Sequence, residues 1–121
     1  MNILAVDDEK LALEGLALSI QKAEPSATVY SFRKPEEALE FCRSTRCEVA
    51  FLDIQMCNMS GVEFAKEAKK IYPDMNIIFT TGYSDYMRDA FEMHASGYLM
   101  KPVTPEKVRK ELDNLRNPVD S

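Results

Sequence analysis

Five short apolar or aromatic runs recur along the chain, and between them the apolar spacing switches to a helical period. Few folds accept that alternation. The runs are Ile3-Leu4-Ala5-Val6, Val29-Tyr30-Ser31-Phe32, Val49-Ala50-Phe51-Leu52, Ile77-Ile78-Phe79-Thr80 and Gly97-Tyr98-Leu99-Met100. Each is too short for a helix, and their β-branched and aromatic content suits strands. Between the first two, Ala12, Leu16, Ile20 and Ala23 mark one face of a helix that Pro25 closes. Pro35, Glu36 and Glu37 open a second helix, with Ala38, Leu39 and Cys42 inside. Phe64, Ala68, Ile71 and Tyr72 stripe a third, ended by Pro73. Ser84 or Asp85 caps a fourth, which carries Ala90 and Phe91. Pro105 and Glu106 open a fifth, with Val108, Leu112 and Leu115 inside and Asn117-Pro118 as its stop. Strictly alternating strands and helices predict right-handed βαβ units, a parallel sheet and helices on both faces. Four of the five runs lack polar alternation, as strands buried on both sides do.

Composition narrows the class further. At 121 residues the chain is the size of one domain and buries a core without staples. The hydrophobic share is 45% and the charged share 29%, which suits a folded chain and argues against disorder. No apolar run approaches the roughly 20 residues of a membrane span. The start, MNILAVDDEK, has no basic stretch before its short apolar run, so no secretory signal is expected. Three cysteines with no C-x-x-C pair do not make a disulfide framework, and a cytoplasmic location is expected. The net charge of −5 gives no bulk attraction to nucleic acid or anionic lipid. DNA contact would need a separate segment.

Ligands of open parallel sheets bind beyond the carboxyl ends of the strands, where strand order reverses. The first run delivers Asp7, Asp8 and Glu9 there, the third Asp53, the fourth Thr81 and the fifth Lys101. The second delivers Arg33 and Lys34 without obvious companions. A sheet wound both ways sets the first and third strands side by side, so that Asp7, Asp8 and Asp53 share one crevice. Three carboxylates that close repel, and without a cation at least one titrates high. All-oxygen ligands favour Mg²⁺ or Mn²⁺ over zinc. Lys101 and the Thr81 hydroxyl suit phosphoryl oxygens across the crevice, and a carboxylate in such a site can serve as nucleophile.

Asp7-Asp8-Glu9, Asp53-Ile54-Gln55-Met56, Thr81-Gly82 and Lys101-Pro102, in that order and each ending a strand, resemble a receiver domain of a bacterial two-component response regulator. The resemblance runs from Met1 to about Arg116. It implies a flavodoxin-like (βα)5 three-layer sandwich with strand order 2-1-3-4-5. Residues 1–116 are then the receiver, and 117–121 a tail or the start of a linker. By the same resemblance Asp53 accepts a phosphoryl group from a sensor histidine kinase. Asp8 and Asp53 bind Mg²⁺ directly, Asp7 through water and Gln55 through its backbone carbonyl. Lys101 pairs with a phosphoryl oxygen, Thr81 reports the phosphoryl group, and Tyr98 is the aromatic switch. Lys101-Pro102 is expected as a cis peptide. Gln55 and Tyr83 fall at the two positions that flank water's approach and set the phosphate's lifetime. A homodimer through the fourth helix, fifth strand and fifth helix is the expected partner surface. The runs from Phe79 to Tyr86 and from Tyr98 to Val103 resemble receivers joined to LytTR-type DNA-binding domains, which implies transcription regulation. Two positions depart from the family: Cys57 stands where proline is frequent, and Gly82 where alanine is frequent.

Other readings are weighed on the same residues. A haloacid dehalogenase-type phosphatase needs a second aspartate at position 55, which holds Gln55. A nucleotide or flavin domain needs a glycine-rich loop where Asp7-Asp8-Glu9 stands. A stand-alone receiver acting by protein contact, or a dimerisation module independent of phosphorylation, differs in output rather than in site. His94 is expected as a favourable charge near a helix C-terminus, and the cysteines as small apolar fillers. Cys57 is the one whose loop borders the site. Tyr86, Met87, Phe91 and Met93 serve either the core or a partner surface.

Overall fold

The computed structural model describes residues 1–82 and 95–119. Its five strands are β1 (Asn2–Val6), β2 (Thr28–Phe32), β3 (Val49–Asp53), β4 (Asn76–Thr81) and β5 (Gly97–Met100). Its helices are α1 (Lys10–Ala23), α2 (Pro35–Ser44), α3 (Gly61–Ile71) and α4 (Pro105–Leu112). The strands form one parallel sheet in the order β2-β1-β3-β4-β5, the flavodoxin-like order expected. The helix expected to carry Ala90 and Phe91 lies outside the described residues, as do Tyr83, Tyr86, Met87, Met93 and His94.

Successive side chains of a strand point to opposite faces, so each apolar run fills two cores at once. Leu4, Val6, Ala50, Leu52, Ile77 and Phe79 face α2 and α3, meeting Ala38, Cys42, Phe64, Ala65 and Ala68. Ile3, Ala5, Val49, Phe51, Ile78 and Leu99 face α1 and α4, meeting Leu13, Leu16, Ile20, Val108 and Leu112. β1, β3 and β4 are buried almost throughout, whereas the edge strand β2 keeps no fully buried residue.

The helix starts follow local chemistry. Ser60 and Glu63 close a capping box at α3, and the Thr104 hydroxyl accepts from the Lys107 N–H at 3.3 Å to start α4. Pro35 and Pro105 sit in first turns, where no donor is wasted.

Two helices differ from the expected stripes. The buried line of α1 is Leu13, Leu16, Ser19 and Ile20, with Ala12 and Ala23 only half-buried and Leu11 and Leu18 exposed. The larger leucines take the inward positions because they remove more apolar area from water. The last helix stops at Leu112, so Leu115 reaches the core from the turn that follows it. Beyond that turn the chain is drawn to the base of the sheet. Asn76, buried at the start of β4, accepts from the Asn117 N–H at 2.7 Å and the Ser96 hydroxyl at 2.9 Å. Its amide donates to the Asn117 carbonyl at 2.7 Å and the Glu48 carbonyl at 3.1 Å. Asn117, the first residue of the expected tail, is thus tied to β4.

Candidate functional site

The sheet order places β1 beside β3, and the chain leaves them in opposite directions across the sheet. Their carboxyl ends therefore open one crevice. Asp7 and Asp8 follow β1 and Asp53 closes β3. One carboxylate oxygen from each lies within 4.8 Å of the others. Asp7 and Asp53 are buried, at 1% and 5% exposure, and Asp8 is half-buried.

Each carboxylate is oriented by backbone. Asp7 Oδ1 accepts from the Glu9 N–H at 2.9 Å, and Asp8 Oδ2 from the Cys57 N–H at 2.9 Å. Asp53 Oδ1 receives a longer bond, 3.4 Å, from the Gln55 N–H. Lys101 follows β5 and enters from the other side. Its Nζ donates to Asp7 Oδ2 at 2.9 Å and lies 3.5 Å from Asp53 Oδ2. The Lys101–Pro102 peptide is cis, as the resemblance implies, and the Lys101 N–H donates to the Thr81 carbonyl at 2.8 Å.

The electrostatics follow from this crowding. Burial, then the nearby Asp7 charge, pushes Asp53 up to about 6, against the pull of Lys101. Burial draws the Lys101 ammonium down, but Asp7 and Asp53 together outweigh it and hold it above the usual lysine value. The Cys57 thiol faces Asp8, which raises it. The site thus holds more negative charge than Lys101 offsets. Clustered hard oxygen donors with unbalanced charge fit a small divalent cation such as Mg²⁺.

The remaining predicted residues fall around this centre. Gln55 is exposed directly beyond Asp53, and Thr81 is buried at the end of β4. Tyr98 is half-buried on β5 and packs on the α2–α3 side of the sheet. Tyr83 lies outside the described residues.

Three further residues shape the site without a legible signal in the sequence. A Cβ at Gly61 would strike the Asp53 carbonyl oxygen, so only glycine lets α3 start against the end of β3, where its N–H donates to the Ile54 carbonyl at 2.8 Å. Arg33 donates to the Asp8 carbonyl at 3.2 and 3.3 Å, which gives this lone cation its companion. Thr80 pairs with Asp53 across the strands, and its buried hydroxyl has no hydrogen-bond partner among the described residues. It borders a cavity of about 610 Å³ shared by Asp7, Lys101 and the α1 residues Leu11, Gly15 and Leu18. Asp8 borders a second cavity, of about 630 Å³, with Gln55, Met56 and Cys57.

Comparison with known proteins agrees with this geometry. Residues 3–113 match the response regulator receiver domain family. The sensory transduction protein LytT of Bacillus cereus is 33% identical over 112 residues, covering 93% of this chain and 46% of LytT. The transcriptional regulatory protein BtsR of Salmonella typhi is 35% identical over 116 residues, covering 96% of this chain and 48% of BtsR. This chain therefore spans about half the length of the curated relatives it matches. Among solved structures, the chemotaxis protein CheY4 of Vibrio cholerae superposes with a TM-score of 0.81 at 28% identity, covering 93% of this chain and 95% of CheY4.

Proposed function

The chain belongs to the response regulator receiver domain family, whose role is signalling, and on that premise we propose that Asp53 is its phosphoryl acceptor and a sensor histidine kinase its donor. The observation that carries this reading is the buried Asp53 carboxylate, within 4.8 Å of two further aspartates and 3.5 Å from the Lys101 ammonium. The Asp53 carboxylate forms the new P–O bond as the donor's P–N bond breaks, and the leaving imidazole keeps the electron pair. Lys101, already in the crevice, turns from Asp7 toward a phosphoryl oxygen. Asp8 and Asp53 would hold Mg²⁺ directly, Asp7 through water and Gln55 through its backbone carbonyl, and the ion would neutralise charge on the transferring group.

Thr81 then hydrogen-bonds the phosphoryl group, and Tyr98 shifts to fill the space it leaves. Together they bias the surface around β5 and α4 toward one of two packings. That surface serves a homodimer. Gln55 and Tyr83 flank the approach of hydrolytic water, and a ring at position 83 slows phosphate loss. Transcription regulation through a separate DNA-binding segment is the output we favour. Its support is the likeness to LytT and BtsR, each about twice as long as the part matched.

Acetyl phosphate with Mg²⁺ tests the acceptor. One phosphoryl group should appear by intact mass, and a chelator or Asp53→Ala should abolish it. Labelling that persists in Asp53→Ala sinks the assignment.

A further inference from the structure

On the reading that Asp53 accepts the phosphoryl group, we propose that Thr80 is a positioning residue for Lys101. Its hydroxyl accepts a hydrogen bond from the ammonium when Lys101 leaves Asp7 for a phosphoryl group on Asp53. Ala5, Phe51, Ile78 and Leu99 all face α1 and α4, and two residues beyond them come Asp7, Asp53, Thr80 and Lys101. Alternation along the strands carries these four to that same face. The sheet sets them in the order β1, β3, β4, β5, so Thr80 stands between Asp53 and the root of Lys101. Asp53 and Thr80 are partners in register, one strand spacing of about 4.8 Å apart.

Thr80 is 1% exposed, and its hydroxyl has no hydrogen-bond partner among the described residues. A valine has the same branched shape and suits a strand equally well, without the cost of burying an unpaired oxygen. Packing therefore accounts for the branch of this side chain and not for its hydroxyl. The cavity of about 610 Å³ that Thr80 borders shows what can meet it. Among the described residues that line this cavity, Lys101 is the one cation. Ser19, the other hydroxyl there, already donates to the Val103 carbonyl at 2.8 Å.

Lys101 follows β5 and reaches past β4 to the β1 side, where Nζ lies 2.9 Å from Asp7 Oδ2 and 3.5 Å from Asp53 Oδ2. A phosphoryl group on Asp53 adds negative charge over β3. It draws the ammonium away from β1, back toward β3 and β4. That path leads from the Asp7 carboxylate to the Thr80 hydroxyl. An ammonium has three donors and no acceptor, so in a buried crevice it has to replace each oxygen it gives up. The Thr80 oxygen supplies the replacement and adds no charge to a crowded acidic site. The hydroxyl is then unpaired while Lys101 rests on Asp7 and paired once it has turned. It shifts the balance between the two positions of Lys101 toward the second.

Beryllofluoride, a phosphoryl mimic, tests this on the full chain with Mg²⁺, its binding followed by fluorine NMR. Thr80→Val should weaken beryllofluoride binding about tenfold, the worth of one hydrogen bond to a charged group. Thr80→Ser, which keeps the oxygen, should restore binding to within about twofold of the parent. In chelator Thr80→Val should be at least as stable as the parent to urea, because the oxygen it loses is unpaired there. A purely structural role would not give gains and losses of opposite sign in the two states. If valine crowds the site, Thr80→Ala removes the same oxygen and its beryllofluoride affinity decides. Beryllofluoride binding to Thr80→Val or Thr80→Ala as tight as to the parent overturns the proposal. So does a Thr80→Ser protein as weak as Thr80→Val, or a Thr80→Val protein less stable than the parent in chelator. A parent that binds no beryllofluoride refutes Asp53 as the acceptor, and the role of Thr80 falls with it.

Discussion

Replacing Asp53 with asparagine should stabilise the cation-free protein, although Asp53 sits at the centre of the site. The reason is the charge it carries where burial and Asp7 oppose it. A carboxyl that titrates at about 6 instead of 3.8 costs the fold about 3 kcal/mol once ionised. The penalty is absent below the unfolded value, grows as pH rises through the window from about 4 to 6, and is complete above it. The parent in chelator should therefore lose stability across that window. Asp53→Asn, similar in shape and uncharged, should not. The two should be alike near pH 4, and the variant should lead at pH 7.5 by about 3 kcal/mol, or on the order of 10 °C in Tm. Urea unfolding at several pH values measures the gap. Mg²⁺ should narrow it by binding the folded parent. If the variant is no more stable than the parent at pH 7.5 in chelator, or if its lead persists undiminished at pH 4, the charge-crowding account fails.

The two glycines near the site should respond oppositely. Gly61→Ala drives a Cβ into the Asp53 carbonyl and should cost about 1–3 kcal/mol in urea unfolding, whereas Gly82→Ala, with nothing within 4 Å among the described residues, should be tolerated. Asn76→Ala removes the four side-chain bonds at the base of β4, and strands partners from Glu48, Ser96 and Asn117. It should cost about 2–4 kcal/mol, and an equilibrium unfolding curve unchanged from the parent would contradict the assigned network.

Strand positions were readable because the middle of a strand buried on both faces has to be apolar, as Ile3 to Val6 of β1, Val49 to Leu52 of β3 and Ile77 to Phe79 of β4 are. The residues that end them were readable for a related reason. A charged group directly after such a strand has nowhere to go but the crevice, which is how Asp7, Asp53 and Lys101 come to meet. The rest depends on contacts between distant segments, which no local pattern carries. Asn76 reads as the polar margin of an apolar run, and only the return of Asn117 makes it a hub. Gly61 reads as a loop glycine until α3 is laid against β3. Ala12 and Leu13 fit a helical stripe almost equally well, and the neighbouring sheet and α4 decide between them.

The bonds around Asn76 also act as a mooring. Thr81 and Asn76 are the two ends of β4, and five residue steps separate them, about 17 Å along the strand. The backbone at Asn117 is therefore held at one pole of the domain, and the acidic crevice lies at the other. A displacement that begins at Thr81 has β4 itself as a path to the Asn117 backbone, with Ser96 and Asn76 as the last link.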